Sequence, residues 1–422
     1  MVGKQDVSFA FIKNSTILQF RFVLIVVFIA CPFAGMLLSI CAIVRRHDEK
    51  LAISLIILFF GLLGYTFMPL SNDDLPRHYM MFDKLKLAET LPEFIFYQSQ
   101  SEKPDFFLYL LYWLTGKLVN THQVVGFLGA ICYYGLGLGV ILHWRPLLKV
   151  QSFFYNFLLP AGMFLSLMPV TEFSGMRQGN ANMLFLFIVT IPDEKLSKLK
   201  RVLLLLFPCL IHFSLWPVVL LYICTFLFRR KMVFMLSLCL LASFFFFVPL
   251  MTMLTEILST FGSIGAGMAG KINDYFFAGK IDNALYSGSV LRFVIILFSV
   301  LVLPFIIYGV DKNRRAMPSS VLRIHYFTFL FFSYTVFTCS SFILSRTMML
   351  FKLLVTLYFT YALFSCNLKW YTKRFLLCLC MLIFLSGPFF MYLGKEYRSL
   401  NFSIFHLNLF GLLDITTLPE GY

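Results

Sequence analysis

Charged side chains are scarce in this chain of 422 residues, of which only 13% are Asp, Glu, Lys or Arg. A soluble domain carries roughly 25% charged and about 45–50% apolar residues. Here 60% of the residues are hydrophobic and the mean hydropathy is +0.84. A soluble interior cannot take up so many apolar side chains without exposing patches that aggregate. The composition therefore excludes a soluble enzyme and predicts an all-α, polytopic integral membrane protein.

The motifs of several enzyme classes are missing as well. No Gly-rich phosphate loop follows a strand pattern, no Asp-x-Asp motif accompanies a soluble glycosyltransferase-like domain, and no His-Glu-x-x-His sequence occurs. The ten cysteines lie within or at the ends of apolar runs, without a Cys-x-x-Cys pair or a Cys/His cluster. We therefore expect no nucleotide cofactor, no metal site and no disulfide framework.

Acidic residues are also few, since 20 Asp and Glu stand against 35 Lys and Arg. In a membrane protein such an excess mostly orients the loops and does not indicate nucleic-acid binding. Nineteen of the Lys and Arg, but only five of the Asp and Glu, fall in six short segments: 45–50, 144–151, 192–201, 229–231, 311–323 and 367–374. By the positive-inside rule, we predict that all six are cytoplasmic.

A helix needs about 20 apolar residues to cross the hydrocarbon core, so we predict about 10–12 membrane helices, including short or re-entrant ones. They would form a single transmembrane domain over residues 1–422. The clear candidate spans are 22–44, 51–70, 121–143, 153–170, 232–258, 289–310, 324–345, 347–366 and 375–393. Residues 177–191 form a shorter apolar stretch.

Placing all six basic segments on one side constrains the remaining chain. Segment 106–119 cannot be a full span and suits an interfacial or re-entrant helix within a periplasmic region, 71–120. Segments 202–211 and 213–228 must form a hairpin of short helices that turns near His212, and Pro208 and Pro217 fit such a break. The outward-facing parts are then the N-terminus, 71–105, 171–177, the loop 259–288 and 394–422.

Ionisable groups at membrane depth are costly, so each is a functional-site hypothesis. Eight of them fall at the outer end of the predicted bundle, although none was used to derive the topology: Asp73, Asp74, Arg77, Glu102, Glu172, Arg177, His212 and Arg346. Structural roles remain open alternatives. Residues 71–79 suit a helix-end turn with an Asn/Asp cap, the arginines suit interfacial anchors, and His212 suits a core histidine.

Arginines beside carboxylates bind phosphate well, because guanidinium forms bidentate, permanently charged contacts. A carboxylate or histidine nearby would take a proton from an incoming hydroxyl, and Asp73, Asp74, Glu172 and His212 are the candidates for that base. A donor activated by a lipid pyrophosphate would suit such a site, with the arginines stabilising the charge of the leaving group.

The order of these motifs resembles the EpsG-like branch of the Wzy-type polysaccharide polymerases. The resemblance begins with Asp73, Asp74, Arg77 and Tyr79 after the second span, and continues with Glu102 before a Pro and an aromatic helix. Three further motifs complete it: Arg177-Gln178 opening a helix, His212 and Ser214 in a short-helix pair, and Ser345-Arg346 at a span start. An extra Lys103 separates Glu102 from Pro104, unlike the family pattern.

This resemblance implies a GT-C-like, metal-independent glycosyltransferase of the bacterial inner membrane. It would polymerise undecaprenyl-pyrophosphate-linked repeat units at the periplasmic face into O-antigen, capsule or exopolysaccharide. Asp73, Asp74, His212 and Glu172 would be catalytic. The remaining motif residues would bind substrate: Arg77, Tyr79, Glu102, Arg177, Gln178, Ser214 and Arg346.

The expected partners are the lipid-linked glycan donor and acceptor, membrane lipids, a chain-length regulator and a flippase. Two other functions remain open. A lipid-linked glycan flippase would be expected to carry internal repeats and charges near the bilayer midplane, and neither is found here. A membrane O-acyltransferase would rest on His212, but it should draw its donor from the cytoplasm.

Overall fold

The computed structural model describes residues 19–45, 47–69, 74–99, 106–148, 162, 176–212, 214–261, 265–266, 269–270, 272–273, 307–337, 343–393 and 400–415. Within these ranges the regular structure is entirely helical, as the sequence predicts. The predicted span 153–170, the predicted span 289–310 and the loop 259–288 fall largely outside the described residues.

The first half of the described chain forms eight helices. They are α1 (Gln19–Ala30), α2 (Pro32–Val44), α3 (Glu49–Tyr65), α4 (Asp74–Leu85), α5 (Leu91–Ser99), α6 (Phe106–Gly116), α7 (Gln123–Trp144) and α8 (Met176–Thr190). One helix in the described part of the chain, α7 with its 3-10 extension to Leu147, is long and apolar enough to cross a membrane. Shorter apolar helices include α1, α2 and, later in the chain, Leu215–Leu227.

Nine helices follow in the second half of the described chain, besides short helical stretches such as 307–311. They are α9 (Lys198–Leu204), α10 (Leu206–Ile211), α11 (Leu215–Leu227), α12 (Arg230–Ala242), α13 (Phe247–Ser259), α14 (Ser319–Phe337), α15 (Ile343–Ser365), α16 (Trp370–Leu393) and α17 (Leu409–Leu413). Helix α8 lies centrally and contacts α7, α10, α14 and α15. Large aromatic side chains fill the core between these helices, such as Phe185 and Phe327 with ring centroids 5.4 Å apart.

The predicted span 22–44 is wrong as a single helix, because α1 and α2 fold into a hairpin. Cys31 is extended, with φ −155° and ψ 98°, as the residue before a proline tends to be, and Pro32 opens α2. The two helices touch so closely that a Cβ atom on Gly35 would lie 2.5 Å from Phe28 Cα. Arg21, at the start of α1, consequently forms an ion pair with Asp48, which follows α2.

The hairpin places the start of α1 beside the basic segment 45–50, because Arg21 pairs with Asp48. The predicted outward position of the N-terminus concerns residues 1–18, which lie outside the described residues, so it stays a prediction. A second predicted span, 232–258, is interrupted: the 3-10 segment Ser243–Phe246 separates α12 from α13. Pro249 lies in the first turn of α13, where its missing N–H costs no helical hydrogen bond.

Two expectations about short helices agree with the structure, although the interfacial or re-entrant position of segment 106–119 stays a prediction. Helix α6 has 11 residues and is about 16 Å long, too short to cross a bilayer. It packs against α4 and α5, and its Trp113 Nε1 donates a hydrogen bond of 2.8 Å to Ala88 O. Helices α10 and α11 form the predicted pair of short helices, and their turn contains His212 and Ser214.

Candidate functional site

The basic segments predicted from the sequence meet at one end of the helix bundle, here called the basic end. Asp193 of segment 192–201 contacts Ser319 and Arg323 of segment 311–323. Arg230 of segment 229–231 forms an ion pair with Asp311. Segments 311–323 and 367–374 are joined by a 3.3 Å hydrogen bond from the Asn367 N–H to Asn313 Oδ1. The clustering supports the charge argument, although which side of a membrane it faces stays a prediction.

The helix directions then define the opposite end, here called the motif end. Helix α3 leaves the basic end and finishes at Tyr65, where Gln123 Nε2 at the start of α7 donates a 3.0 Å hydrogen bond to Tyr65 O. Helix α15 ends at the basic end, because Ser365 Oγ donates to Leu147 O at 2.9 Å. Its first turns, which include Arg346, therefore lie at the motif end.

Helices α8 and α10 bring two further motifs to the same end. Helix α8 begins with Met176-Arg177-Gln178 and runs to the basic end, while α9 and α10 return along it to His212. The outward and return segments have nearly equal lengths, 15 residues in α8 and 14 over 198–211. Each rises about 1.5 Å per residue, so the turn at His212 is level with the first turn of α8.

The turn between α10 and α11 holds His212 and Ser214 in direct contact. His212 Nδ1 lies 2.7 Å from Ser214 Oγ, and the Ser214 N–H points to the same nitrogen at 3.3 Å. Both residues are half-buried. His212 is extended, with φ −144° and ψ 113°, which ends α10 and turns the chain into α11. Because Ser214 occupies Nδ1, the other ring nitrogen, Nε2, is the one directed away from this turn.

The first turns of α8 form a polar surface that continues into the bundle. Arg177 and Gln178 are half-buried, whereas Asn180 and Asn182 are buried. Helix N-termini carry partial positive charge from their unsatisfied N–H groups, and an arginine there adds a full charge. The start of α8 is therefore suited to an anion.

Helix α4 presents its two motif side chains on different faces. Tyr79 is fully buried, its ring centroid is 4.7 Å from that of His122, and its hydroxyl lies beside Gly126 of α7. Arg77, two residues earlier, is exposed, since residues two apart on a helix do not share a face. Packing against α7 accounts for the position of Tyr79, so its assignment to substrate binding stays a prediction.

Of the remaining predicted site residues, two lie in described helices and three lie outside the described residues. Asp74 is the first residue of α4, and Arg346 lies in the first turn of α15. Both backbones are at the motif end. Asp73, Glu102 and Glu172 lie outside the described residues. The proximity of Glu172 to Arg177, and the role of Glu102 despite Lys103, therefore stay predictions.

Comparison with known proteins identifies the family. The model of the EpsG family matches residues 50–405, which is most of the chain. The chain belongs to the EpsG family. This is the family of Wzy-like polysaccharide polymerases, as the motif order predicts. No curated protein and no solved structure matches the chain.

Family membership and the apolar helical architecture together identify a membrane protein with a polysaccharide polymerase-like function. The family match spans the residues that carry the motif end, from α4 to α15. The match begins at residue 50, so it also covers the basic end, except for residues 45–49 of the first basic segment.

The EpsG-family chain contains a second set of polar residues that sequence reasoning missed, because they lie at the basic end. Arg201 is fully buried and donates hydrogen bonds to Ile188 O at 2.8 Å and Ile191 O at 2.7 Å. Its Nη2 also lies 3.0 Å from Asp193 Oδ1, and Asp193 binds Arg323 of α14. This network joins the α8–α9 turn to α14.

A similar network surrounds Asp311. Arg230 and Arg314 both contact its carboxylate, and His325 Nε2 lies 3.7 Å from Asp311 Oδ1. His325 Nδ1 is 2.8 Å from the hydroxyl of buried Tyr358, which extends the network to α15. The pKa of Asp311 is lowered below its ordinary value, chiefly by His325 and further by Arg230 and Arg314, while burial opposes the shift.

A sequence signal for these networks exists. The basic segments contain three aspartates, Asp48, Asp193 and Asp311, and each pairs with an arginine. An aspartate inside a basic membrane loop indicates such a pair, because an uncompensated charge there would be costly. Asp83, at the motif end, forms two further ion pairs outside the predicted set: its Oδ1 lies 2.6 Å from Lys86 Nζ and its Oδ2 lies 3.4 Å from His122 Nδ1.

Proposed function

We propose that this chain is a multi-pass glycosyltransferase of the bacterial inner membrane. It joins undecaprenyl-pyrophosphate-linked oligosaccharide repeat units into a surface polysaccharide at the periplasmic face. One observation carries the proposal: helix ends bearing motif residues from four separate parts of the chain, α4, α8, the α10–α11 turn and α15, lie at the end opposite the basic segments. The positive-inside rule makes that end periplasmic.

The proposed reaction replaces one bond to the anomeric carbon by another. A hydroxyl of the acceptor glycan attacks the anomeric carbon of the donor, and the bond from that carbon to the carrier pyrophosphate breaks. The hydroxyl proton passes to a basic side chain, and the carrier leaves as undecaprenyl pyrophosphate. No nucleotide is consumed, because the pyrophosphate linkage itself supplies the leaving group.

Arg177 and Arg346 would hold the pyrophosphate. Each lies in the first turn of a helix that begins at the motif end, so the helix N-terminus and the guanidinium group act on the same anion. Guanidinium also matches the geometry of phosphate oxygens through paired donors. Arg77 is exposed on α4 and would meet the glycan or its phosphate from the side of the first periplasmic region.

The base would be Asp73 or Asp74, with His212 as the alternative. The two aspartates are adjacent, and neighbouring carboxylates raise one another's pKa, which favours proton uptake near neutral pH. His212 has the advantage of geometry: Ser214 engages Nδ1 and orients the ring at the turn. Glu172, close in sequence to Arg177, would serve as a partner of that arginine, and Gln178 as a donor to the sugar.

The glycan of a deletion strain tests the function directly. Single repeat units on the lipid carrier at the periplasmic face would support a polymerase. Repeat units retained in the inner leaflet would instead support a flippase. Purified protein incubated with lipid-linked repeat units should then form longer chains, and it should do so in the presence of EDTA.

Substitutions in the purified system distinguish the candidate bases. We expect Asp73→Asn or Asp74→Asn to abolish chain formation across pH 5 to 9. If both variants polymerise at the wild-type rate while His212→Ala is inactive, the histidine is the base. A matched control is Asp414→Asn, because Asp414 is an exposed aspartate that directly follows α17 and lies outside the motifs.

A further inference from the structure

Three aromatic rings at the basic end are exposed, and each has a basic side chain lying on it. Arg374 Cζ is 3.7 Å from the ring centroid of Trp370, and Lys369 Nζ is 5.7 Å from that of Tyr371. Lys312 Nζ is 4.6 Å from the ring centroid of Tyr308. The three rings are 61–66% exposed. These six residues are here called the aromatic-basic patch.

Local helical geometry explains two of the three pairs. Trp370 and Arg374 are four residues apart in the first turns of α16, and Tyr308 and Lys312 are four apart where residues 307–311 are helical. Side chains at this spacing lie on the same face of a helix. The cation is attracted electrostatically to the negative face of the ring.

Tertiary contacts join the two halves of the patch. The Asn367 N–H donates a hydrogen bond of 3.3 Å to Asn313 Oδ1, which ties the start of α16 to the segment after Tyr308. Close by, a Cβ atom on Gly309 would lie 3.5 Å from Leu368 Cδ2. The rings and cations therefore belong to one surface formed by two segments of the chain.

The charges of the patch are not neutralised in the way that others at this end are. Arg230 and Arg314 share Asp311, and Arg201 and Arg323 share Asp193. By contrast, among the described residues no carboxylate forms an ion pair with Lys312, Lys369 or Arg374. These three cations, together with the exposed Arg315, leave the patch with a net positive charge available to an external anion.

Exposed Trp and Tyr beside Lys and Arg are typical of the membrane–water interface. Their rings sit at the level of the lipid head groups, and the basic side chains reach the phosphates. We propose that the aromatic-basic patch binds the head group of an anionic phospholipid. The cations would contact the phosphate, and the rings would lie among the glycerol and upper acyl atoms. This site is separate from the motif end and does not depend on the proposed polymerase reaction.

The test compares lipid binding by the full chain and by two triple variants in detergent micelles. Lys312→Gln, Lys369→Gln and Arg374→Gln remove three charges from the patch. Lys195→Gln, Lys198→Gln and Lys200→Gln remove three charges from exposed positions at the same end, and these lysines make no cation–ring contact among the described residues. Dioleoyl phosphatidylglycerol, dioleoyl phosphatidylcholine and inorganic phosphate are the probes. The readouts are Trp fluorescence and the midpoint of thermal unfolding.

We expect phosphatidylglycerol to raise the unfolding midpoint of the wild-type protein and phosphatidylcholine to have little effect. Each basic residue near a charged surface contributes roughly fivefold in affinity, so the patch variant should bind about 100-fold more weakly. The lysine control should bind as the wild type does. Without lipid, both variants should unfold close to the wild-type midpoint, because the six substituted side chains are exposed and cation–ring contacts at the surface are weak.

Three results would overturn the proposal. Equal stabilisation by phosphatidylcholine would mean that the patch has no preference for charge. Equal loss of binding in both triple variants would mean that the lipid binds the whole basic end through non-specific electrostatic attraction. Stabilisation by inorganic phosphate at the same concentration would mean that the rings contribute nothing and that the patch is an ordinary anion site.

Discussion

Gly64 of α3 and Gly126 of α7 bring their two backbones into direct contact. A Cβ atom on Gly64 would overlap the carbonyl oxygen of Gly126 and lie 2.6 Å from Ala130 Cβ. On the other helix, a Cβ atom on Gly126 would lie 3.0 Å from the Tyr79 hydroxyl. Small residues permit such approaches between apolar helices. The glycine contact therefore permits the close packing of α3 on α7, and it also leaves room for Tyr79 of α4 to pack against α7 at the motif end.

We predict that Gly64→Ala and Gly126→Ala destabilise the protein, because an inserted methyl group forces rigid backbones apart. The expected cost is about 1–3 kcal/mol. Gly135→Ala is the matched control: it lies on α7 and faces α3, but its nearest neighbour is Ile57 at 3.7 Å, an ordinary contact. Thermal unfolding in detergent should show lower midpoints for the first two variants only. A similar loss for Gly135→Ala would contradict this explanation.

The buried Arg201 should be essential for stability, although it lies far from the motif end. Arg201→Met leaves the carbonyl groups of Ile188 and Ile191 without their donor and weakens the hold on Asp193. Breaking a buried ion pair costs about 3–5 kcal/mol, which should lower the unfolding midpoint by about 5 °C or more. Lys200→Met, at the exposed neighbouring position, should change it little. Equal midpoints for the two variants would argue against a structural role for the network.

Arg177 should be essential for chain formation and should tolerate lysine only in part. Arg177→Ala removes the charge at the first turn of α8, and we expect a loss of about 100-fold in polymerisation rate. Arg177→Lys keeps the charge but loses the planar guanidinium group. Its polymerisation rate should therefore lie between the rates of the wild type and of Arg177→Ala. Arg315→Ala, an exposed arginine at the basic end, is the control. Wild-type chain length for Arg177→Ala, at normal protein level, would exclude the pyrophosphate role.

The orientation of the two ends can be measured by cysteine labelling from outside, in a background without the native cysteines. Glu89 and Ala316 are both exposed, the first between α4 and α5 and the second in the basic segment 311–323. We expect an impermeant reagent to label Glu89→Cys in intact cells and to label Ala316→Cys only after the membrane is opened. The reverse pattern would place the motif end in the cytoplasm.

The Asp311 network should make stability depend on acidic pH. Because the folded state lowers the pKa of this carboxyl group below its ordinary value of 3.8, the carboxylate stabilises the fold above that pH. The contribution is lost as the pH falls through the lowered pKa. Asp311→Asn should therefore unfold at a lower temperature than the wild type at pH 6. The difference between the two unfolding midpoints should become smaller towards pH 3. Asp414→Asn, at an exposed position, should show no such difference at either pH.

The sequence alone was sufficient for the helical class, the family and the clustering of the basic segments. These properties depend on sums over many residues, namely apolar content, charge counts and motif order, so a few misplaced boundaries do not change them. The hairpin at His212 was also predictable, because the loop charges left no other path for residues 202–228. The short α6 followed from the same argument.

Only the tertiary structure decided where individual segments turn and which side chains meet. The apolar run 22–44 is long enough for one span, yet Pro32 and the packing of Gly35 on Phe28 fold it into a hairpin. Tyr79 and Arg77 belong to one motif but face different surroundings, because α4 packs one side on α7. Besides a nearby arginine, Asp193 and Asp311 each have a partner more than 80 residues away, on α14 for Asp193 and on α12 for Asp311. Such pairings depend on the relative placement of whole helices, which local patterns do not encode.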